Sequence, residues 1–326
     1  MAQTGRLAAK RVLVRGASGF LGGALAMGLL GNCAHLRLFC RRPERLDPAL
    51  RSAAVEVVAG DACDPQAVAG SLREIDLVVD AVGATVPAVA PGELLPEVQR
   101  SLLPLAILLD ALAPEPGRQL LYLSSGGAIY GSGQRAEWTE EGPTAPEGAY
   151  GVGKLLSEEM IRFRARRGDA NYLIVRASNV YGRQRPGDLP QGVIDVFLDR
   201  AARGEALEYW GDGSQVRDYL FIDDFVAAVL ALLDLPLRDE IVHVATGVGS
   251  TLEEVVATVE RTVGTTTKVR AGAGSHPGVD RNVLAIAKLR SLTGWVPQYA
   301  LAAGIAAAAR RHRRARPGPP DDDARS

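Results

Sequence analysis

The chain has 326 residues, 37 Lys and Arg against 38 Asp and Glu, and 47% hydrophobic residues. This length predicts about two domains and a core that needs no disulfide or metal. The formal net charge of -1 disfavours a dedicated nucleic-acid-binding protein. Three cysteines form no zinc-site spacing, and apolar runs stop short of the ~20 residues that span a membrane. Residues 1–11 lack the apolar core of a signal peptide. We expect a soluble cytoplasmic protein without metal, membrane or nucleic-acid partners.

Apolar strand patterns alternate with helical patterns through the first half of the chain. Strands are predicted at Arg11–Arg15, His35–Cys40, Val55–Ala59, 76–81, 119–124 and 171–176. Helices are predicted after the first strand and at 65–72, 94–113 and 150–166. This alternation indicates βαβ units, and nearly all-apolar strands indicate a parallel sheet covered on both faces. The sequence predicts an α/β fold with a Rossmann-like, doubly wound parallel sheet.

The character of the sequence changes after Arg176, where loops rich in Gly, Pro and Arg precede helices predicted at 193–203, 223–233 and 251–263. We predict that the doubly wound domain occupies 11–180 and that a segment at about 218–246 returns to it. A smaller α/β lobe is predicted over 181–308, packed against the carboxyl edge of the sheet. In the remaining 309–326, five arginines precede a run of prolines and aspartates, which predicts a disordered tail.

A glycine-rich turn lies between the first strand and the first helix. Gly16, Gly19 and Gly22 have GxxGxxG spacing, a variant of the dinucleotide fingerprint. The first glycine allows the tight turn, the second lets the backbone approach a pyrophosphate, and the third allows close helix packing. The helix N-terminus adds free N–H groups. The predicted cofactor-binding residues of this turn are Gly16, Ser18, Gly19, Phe20, Leu21 and Gly22; a plain turn is the alternative.

The tip of the second strand bears on the choice of cofactor. NAD-binding folds hold an acidic residue there, whereas this chain has Arg41 and Arg42 after Cys40. Guanidinium groups suit the 2′-phosphate of NADP(H). We therefore favour NADP(H), with NAD(H) as the alternative. Further cofactor contacts are predicted at Asp61 and Ala62, and at Ala81, Val82 and Gly83.

A third group of residues has the chemistry of proton transfer. Tyr150 and Lys154 are four residues apart in a predicted helix and so share one face. An ammonium beside a phenol favours the phenolate, which eases proton exchange with a substrate oxygen. Ser124 and Ser125 end the fifth strand, at the edge where ligands bind in such sheets. These four residues are the predicted catalytic set, and Tyr150 and Lys154 also count as cofactor contacts.

Taken together, these segments resemble the extended short-chain dehydrogenase/reductase family, in its nucleotide-sugar epimerase, dehydratase and 4-ketoreductase branch. The resemblance covers residues ~11 to 305 and includes the motifs at 16–22, 124–131, 150–154, 176–182, 211–219, 221–224 and 294–297. It implies an NAD(P)-binding Rossmann domain, a lobe for a nucleoside-diphosphate sugar, and a possible homodimer through the helix that carries Tyr150. The apolar residues Leu155, Leu156, Met160 and Phe163 suit either that interface or the core.

The resemblance also implies roles for individual residues. Tyr150 would exchange the proton, Lys154 would bind the nicotinamide ribose, and a strand-tip serine would hydrogen-bond the reacting oxygen. Asn179 and Arg217 would hold the diphosphate, and His276 is a further substrate-binding candidate. The chain departs from the family pattern at Gly126, where many relatives have the catalytic Ser or Thr, so that role either shifts to Ser125 or Ser124 or is lost. It departs again at Ser101, in place of an Asn, and at His276, in place of an Arg.

Three reactions share this scaffold in the family. Dehydration requires an acid and a base where this chain has Gly127 and Ala128, so we exclude it. Arg41 and Arg42 favour an NADPH-dependent reductase of deoxysugar biosynthesis. Its substrate would be a nucleoside-diphosphate 4-keto-6-deoxyhexose, with TDP as the favoured nucleotide, and the 4-keto group would be reduced. The alternative is an NAD-dependent 4-epimerase acting on UDP- or TDP-sugars. A non-catalytic NAD(P)-binding protein is the second alternative.

Overall fold

The structure, a computed structural model, describes residues 5–83, 93–113, 117–133, 136–182, 192–264, 266, 269–272 and 279–315. The strands are β1 (Arg11–Arg15), β2 (His35–Cys40), β3 (Val55–Ala59), β4 (Leu77–Asp80), β5 (Gln119–Ser125), β6 (Asn171–Ala177), β7 (Asn179–Tyr181), β8 (Leu207–Trp210), β9 (Val216–Phe221), β10 (Glu240–Val244), β11 (Gly249–Thr251), β12 (Val269–Gly272) and β13 (Arg281–Asn282). The bounds of the first three agree with prediction; those of β4 differ by one residue at each end, and those of β5 and β6 by one residue at the carboxyl end.

Seven of these strands form one parallel sheet in the order β10-β6-β5-β4-β1-β2-β3. Their side chains are mostly buried on both faces, as continuous apolar strands require. The chain order reverses between β1 and β4, which places a crevice at the carboxyl edge between these strands. The predicted Rossmann-like, doubly wound α/β fold is confirmed.

The helices cover both faces of the sheet. They are α1 (Phe20–Leu29), α2 (Pro65–Ser71), α3 (Leu94–Glu97), α4 (Leu103–Leu112), α5 (Gly126–Ile129), α6 (Ala149–Arg166), α7 (Val193–Ala201), α8 (Ile222–Leu233), α9 (Leu252–Val263), α10 (Ala287–Thr293) and α11 (Leu301–Ala315). Helices α1 and α8 contribute to the apolar core on one face, and α2, α4 and α6 to the core on the other. No helix in the described part of the chain has the length and apolar character needed to cross a membrane.

One predicted helix is divided in the structure. The pattern at 94–113 predicts a single helix, whereas a π-helical turn, Val98–Leu102, joins α3 to α4. Pro104 has no N–H to donate to the carbonyl four residues earlier, so the regular α-helical ladder is interrupted here. The π turn carries Ser101 on the side that faces the sheet, where it is 5% exposed.

The second lobe has two small sheets. In one, β9 pairs with β7, β11 and β13; in the other, β8 pairs with β12. Within the segment predicted to return to the first domain, α8 and β10 do so, because α8 packs on α1 and β10 extends the large sheet beyond β6. Strand β9 instead belongs to the small sheet.

The last helix extends into the segment predicted to be a disordered tail, so that prediction is wrong for residues 309–315. Helix α11 continues to Ala315. Its alanine-rich face packs on the core, so that Ala308 and Ala309 are buried. Arg311 forms an ion pair with Asp223 at 2.7 Å. The arginines that suggest a charged tail in the sequence include one that anchors this helix.

Candidate active site

The glycine turn between β1 and α1 lies at the crevice where the chain order reverses. Gly16 has φ +76°, and a Cβ there would lie 2.5 Å from the carbonyl oxygen of Ala81. A Cβ on Gly22 would overlap the carbonyl oxygen of Gly16. The glycines therefore let α1 begin directly against the sheet, with its N-terminus at the crevice. This cradle fits the pyrophosphate of a dinucleotide.

The tip of β2 lies beside this turn, because the Gly16 N–H donates to the carbonyl of Phe39 at 3.1 Å. Arg41 and Arg42 follow, both with exposed side chains. Asp61 lies after β3 and accepts the N–H of Cys63 at 2.9 Å. Burial and the charge of Asp61 raise the pKa of the Cys63 thiol, and Arg41 opposes that rise. Arg41 and Asp61 thus both lie near the Cys63 thiol, next to Ala62.

A buried ion pair lies beneath the turn, and the sequence analysis did not single it out. Arg15 Nη1 is 3.3 Å from Asp80 Oδ1, and both side chains are almost fully buried. Arg15 Nη2 donates to the carbonyl of Pro104 at 3.2 Å. Burial raises the pKa of Asp80, and the charges of Arg15 and Lys154 oppose that rise. A charged residue at the end of each of two neighbouring central strands is the signal that would have revealed the pair.

Lys154 joins three parts of the site. Its Nζ donates to the carbonyl of Leu123 at 2.8 Å and to the hydroxyl of Tyr122 at 3.2 Å. The same atom lies 5.8 Å from the ring centroid of Tyr150 and 3.8 Å from the position of a Cβ on Gly83. The predicted pair Tyr150 and Lys154 is therefore held against the tip of β5 and the segment after β4.

Two glycines in the first turns of α6 explain how this helix comes so close. Glycine lowers helix propensity by about 1 kcal/mol relative to alanine. A Cβ on Gly151 would overlap the carbonyl oxygen of Ala128, and one on Gly153 would overlap the side chain of Glu97. The helix thus packs directly against α5 and α3, which fixes the position of Tyr150 and Lys154 between them.

Ser124 and Ser125, both catalytic candidates, have different environments. Ser124 is buried and donates to Glu158 Oε1 at 2.5 Å. Ser125 is half-buried, and its Oγ lies 3.8 Å from the position of a Cβ on Gly127. The hydroxyl of Ser124 is held by a carboxylate, whereas that of Ser125 lies beside Gly127 in a half-buried position. Of the two hydroxyls, that of Ser125 is the more accessible.

Gly126, where the family pattern has Ser or Thr, is packed against the second lobe. A Cβ on Gly126 would overlap Leu284, which is fully buried. The side-chain amide of Asn282 donates to the carbonyl of Gly126 at 3.1 Å. A hydroxyl at position 126 would therefore need space that Leu284 occupies. The replacement is part of the packing between the lobes.

A buried polar chain extends from Ser124 into the second lobe. Glu158 forms an ion pair with Arg176 at 2.7 Å, and Arg176 Nη1 donates to the Tyr130 hydroxyl at 2.7 Å. That hydroxyl lies 2.6 Å from Nε2 of His243. Burial, followed by the charge of Arg176, lowers the pKa of His243 to about 4, against the effect of its bond to the carbonyl of Ala285.

The directions of these bonds are consistent with a neutral His243. The carbonyl of Ala285 can only accept, so Nδ1 carries the hydrogen; in a neutral ring Nε2 then accepts from the Tyr130 hydroxyl, which itself accepts from Arg176. Glu158 lies one turn beyond Lys154 on the same face of α6. That i, i+4 spacing is the signal that would have pointed to Glu158 from the sequence.

The predicted diphosphate contacts lie on the small sheet. Asn179 on β7 pairs with Tyr219 on β9, two residues beyond Arg217. The Asn179 amide donates to the carbonyl of Asp218 at 3.0 Å, and its Oδ1 lies 3.7 Å from the position of a Cβ on Gly127. Asn179 and Ser125 therefore border the same space. Burial lowers the pKa of Arg217, and the nearby Tyr219 and Asp280 oppose that change.

Two further predicted positions have different outcomes. Ser101 lies on the π turn, where its Oγ is 3.9 Å from the position of a Cβ on Gly83. It therefore faces the same segment as Lys154. His276 lies outside the described residues.

The site thus combines three parts. The glycine turn forms a cradle for a dinucleotide, the phenol of Tyr150 and the ammonium of Lys154 lie beside it, and the hydroxyl of Ser125 and the amide of Asn179 both lie near Gly127. These groups can exchange a proton with an oxygen of a bound substrate while a dinucleotide exchanges a hydride. That set defines a dinucleotide-dependent enzyme of the Rossmann type.

The comparison with known families gives the same result. A model of the NAD dependent epimerase/dehydratase family matches residues 12–245, well over half of the chain. The chain therefore belongs to this family, and the predicted resemblance to the nucleotide-sugar branch of the extended short-chain dehydrogenases/reductases is confirmed.

Similar proteins act on nucleotide sugars. The chain is 28% identical over 302 residues to the UDP-glucose 4-epimerase of Mycolicibacterium smegmatis, with 91% of this chain and 96% of that enzyme covered. It is 32% identical to a putative UDP-glucose 4-epimerase of Methanocaldococcus jannaschii and 28% identical to the dTDP-4-dehydro-6-deoxyglucose reductase of Escherichia coli, each over 187 residues. These two matches cover 57% of this chain, and 60% and 59% of the relatives.

A solved structure extends the similarity to the fold. The UDP-glucose 4-epimerase of Thermus thermophilus in complex with NAD has a TM-score of 0.82 and 27% sequence identity. The match covers 93% of this chain and 99% of that enzyme.

Proposed function

We propose that the protein is an NADPH-dependent reductase of the 4-keto group of a nucleoside-diphosphate 4-keto-6-deoxyhexose, with TDP as the nucleotide to test first. The observation that carries the proposal is the pair of exposed guanidinium groups, Arg41 and Arg42, beside the phosphate turn. A 2′-phosphate offers them charge-assisted hydrogen bonds, whereas the 2′-hydroxyl of NADH is best held by a carboxylate. The similarity to a dTDP-4-dehydro-6-deoxyglucose reductase supports this reading.

The residues would act as follows. A bound nicotinamide supplies the hydride that reduces carbon 4. Tyr150 gives its proton to the oxygen on that carbon, which completes the alcohol, and recovers a proton from solvent. The Lys154 ammonium stabilises the phenolate left on Tyr150. Ser125 donates a hydrogen bond to the same oxygen and so holds the carbonyl in place.

The rest of the substrate would be held by the small sheet. Arg217 suits the charge of a diphosphate, and Asn179 adds a neutral donor beside Ser125. His276 remains a proposed contact. Gly127 and Ala128 carry no acid or base, so elimination of water across carbons 5 and 6 has no catalyst there. This argues for reduction over dehydration.

The direct test supplies a TDP-4-keto-6-deoxyhexose and follows the absorbance of NADPH and of NADH separately. We expect consumption of NADPH, with KM for NADPH raised about tenfold or more in the Arg41→Ala/Arg42→Ala variant. Arg73→Ala, an exposed arginine before β4 at the opposite edge of the sheet, is the control. Equal use of both cofactors, unaffected by the double substitution, would contradict the proposal.

A 4-epimerase that uses tightly bound NAD is the second candidate. It is favoured by the match to the Mycolicibacterium enzyme over nearly the whole chain and by the NAD complex of the Thermus enzyme. This activity predicts interconversion of UDP-glucose and UDP-galactose without added reductant, and NAD that copurifies. If neither activity is found and Tyr150→Phe leaves the cellular phenotype intact, a non-catalytic dinucleotide-binding role remains.

We also propose a homodimer through α4 and α6. Leu103 is 46% exposed on α4, and Leu156 and Phe163 are 48% and 51% exposed on α6. The last two are seven residues apart and so share a face. Met160, by contrast, packs against the core. Light scattering should show a dimer that Leu156→Glu/Phe163→Glu converts to a monomer; a monomeric wild-type protein would overturn this proposal.

A further inference from the structure

The end of the last helix contacts the two strands that carry the proposed diphosphate residues. Arg311 lies on α11, more than 90 residues after Arg217 and more than 130 after Asn179 in the sequence. Its Nη1 lies 3.4 Å from the carbonyl oxygen of Gly182, directly after β7. Its Cζ lies 4.8 Å from the ring centroid of Phe221, the last residue of β9. One guanidinium thus touches the ends of both strands.

The guanidinium is itself held in place. Arg311 Nη2 donates to both carboxylate oxygens of Asp223, at 2.8 and 2.7 Å, in the first turn of α8. Phe221, over which it lies, packs against Tyr181 and Tyr299 with ring centroids 5.6 and 4.6 Å apart. Arg311 therefore has a fixed position between an ion pair and an aromatic face, and its side chain is only about a quarter exposed.

His312, the next residue on α11, is linked through a carboxylate to the N–H of Gly182. The Gly182 N–H donates to the fully buried carboxylate of Asp195, 3.2 Å from each oxygen. Nε2 of His312 lies 3.4 Å from the same carboxylate. Gly182 has φ +100°, a conformation that ordinary residues avoid. Both of its peptide groups are thus fixed by contacts that lead to α11.

We propose that Arg311 is a positioning residue for substrate binding, which clamps the ends of β7 and β9 and so sets the distance between Asn179 and Arg217. The inference rests on the proposed function, because it assumes that these two residues hold a diphosphate. Arg311 acts through the strands and does not touch the substrate. Its loss would weaken nucleotide-sugar binding and leave the cofactor turn, on the other side of the crevice, unaffected.

The test compares Arg311→Ala with Arg310→Ala, an exposed neighbour on the same helix, and with Arg311→Lys. Calorimetry with UDP and with TDP gives the affinity for the diphosphate, and NADPH titration gives that for the cofactor. We expect Arg311→Ala to weaken nucleoside-diphosphate binding about tenfold, because Asn179 and Arg217 are then no longer held at a fixed spacing. NADPH affinity and kcat should stay within about twofold, and Arg311→Lys should recover part of the loss.

Two results would overturn the proposed positioning role of Arg311. One is unchanged diphosphate affinity in Arg311→Ala; the other is an equal loss of NADPH affinity, which would indicate general destabilisation. Hydrogen exchange separates this failure from failure of the proposed function. If the wild-type protein binds neither UDP nor TDP, the proposed function fails. The positioning role of Arg311 is then tested by the hydrogen-exchange rates of the backbone amides of Gly182 and β7, which should be faster in Arg311→Ala than in Arg310→Ala. Identical exchange in the two variants would refute it.

Discussion

Two glycine-containing turns at the same edge of the sheet are built on different contacts. In the turn between β1 and α1, Gly22 faces the backbone of Gly16, six residues earlier. In the turn between β5 and α5, Gly126 faces the side chain of Leu284, which comes from the second lobe. The first turn is closed by backbone atoms of its own segment, and the second by a side chain from far along the sequence.

The two turns therefore tolerate different substitutions. Backbone atoms near a glycine cannot withdraw without opening the turn itself, so the cofactor cradle is sensitive to a single added carbon. A side chain can change rotamer or be replaced, so the turn beside Ser125 can adjust if its partner changes too. The cofactor half of the site is therefore fixed by local structure, and the substrate half by the packing of the lobes.

The largest effect is expected at the cofactor cradle. Gly22→Ala places a methyl group against the carbonyl of Gly16, which must move to accommodate it. We expect NADPH affinity, followed by fluorescence titration, to fall at least about 100-fold. Gly70→Ala on α2 is the control, since a Cβ there meets nothing within 4 Å. Wild-type affinity in Gly22→Ala would show that this turn adjusts as easily as the other.

The next effect separates the two serines that end β5. Ser125→Ala removes the half-buried hydroxyl beside Gly127, and we expect kcat for the ketone to fall about 100-fold. Ser124→Ala removes the bond to Glu158 and should lower stability by about 1 kcal/mol, with kcat changed less than about threefold. Steady-state kinetics and thermal melting of both variants measure these effects. The reverse order of the kcat losses would assign the catalytic hydroxyl to Ser124.

A smaller effect concerns the polar chain behind these serines. His243, with a pKa of about 4 in the folded protein and about 6.5 when unfolded, stays neutral while the unfolded chain takes up a proton. Stability is therefore unaffected above pH 6.5 and falls as the pH decreases from about 6.5 to 4, by about 2 kcal/mol at pH 5. Melting curves at pH 8 and pH 5 should show a larger loss in the wild type than in His243→Gln. Equal losses would contradict the prediction.

The smallest effect tests the second turn directly. Gly126→Ala should destabilise the protein by about 1–2 kcal/mol, because the fully buried Leu284 must shift. Leu284→Val relieves the overlap, so the double variant should be more stable than the sum of the single changes predicts, by about 0.5 kcal/mol or more. Denaturant unfolding of the four proteins gives the coupling. If the changes in unfolding free energy were strictly additive, Gly126→Ala and Leu284 would not be in steric conflict.

The local structure that was predicted correctly belongs to patterns that are short in sequence. The bounds of the first strands and the position of the GxxGxxG turn depend on neighbours within one βαβ unit, and the shared face of Tyr150 and Lys154 depends on one turn of helix. The roles of these residues in binding and catalysis stay predictions. The environments of Ser124 and Gly126 could not be predicted, because Glu158 and Leu284 reach them from other elements. The same holds for Arg311, whose surroundings in the sequence are charged and give no sign of its aromatic and carboxylate neighbours.

The cofactor preference is an intermediate case. The absence of an acidic residue at the tip of β2 is visible in the sequence, and the structure places the two arginines beside the turn. The affinity of guanidinium groups for a 2′-phosphate depends on how they are arranged around it, which their positions in the sequence do not determine. NAD in a similar structure and arginines in this one therefore point to different nucleotides, and the titration decides between them.

The position of β10 has a consequence for how the protein is made. Strand β6 stays without its outer neighbour until residues 240–244 leave the ribosome, after the segments that form β7, β8 and β9. During that interval the nascent chain presents an apolar, unpaired strand edge, which is a site for mispairing and for chaperone capture. The two halves of the molecule are interleaved in synthesis, and a fragment that ends before β10 would leave this edge permanently open.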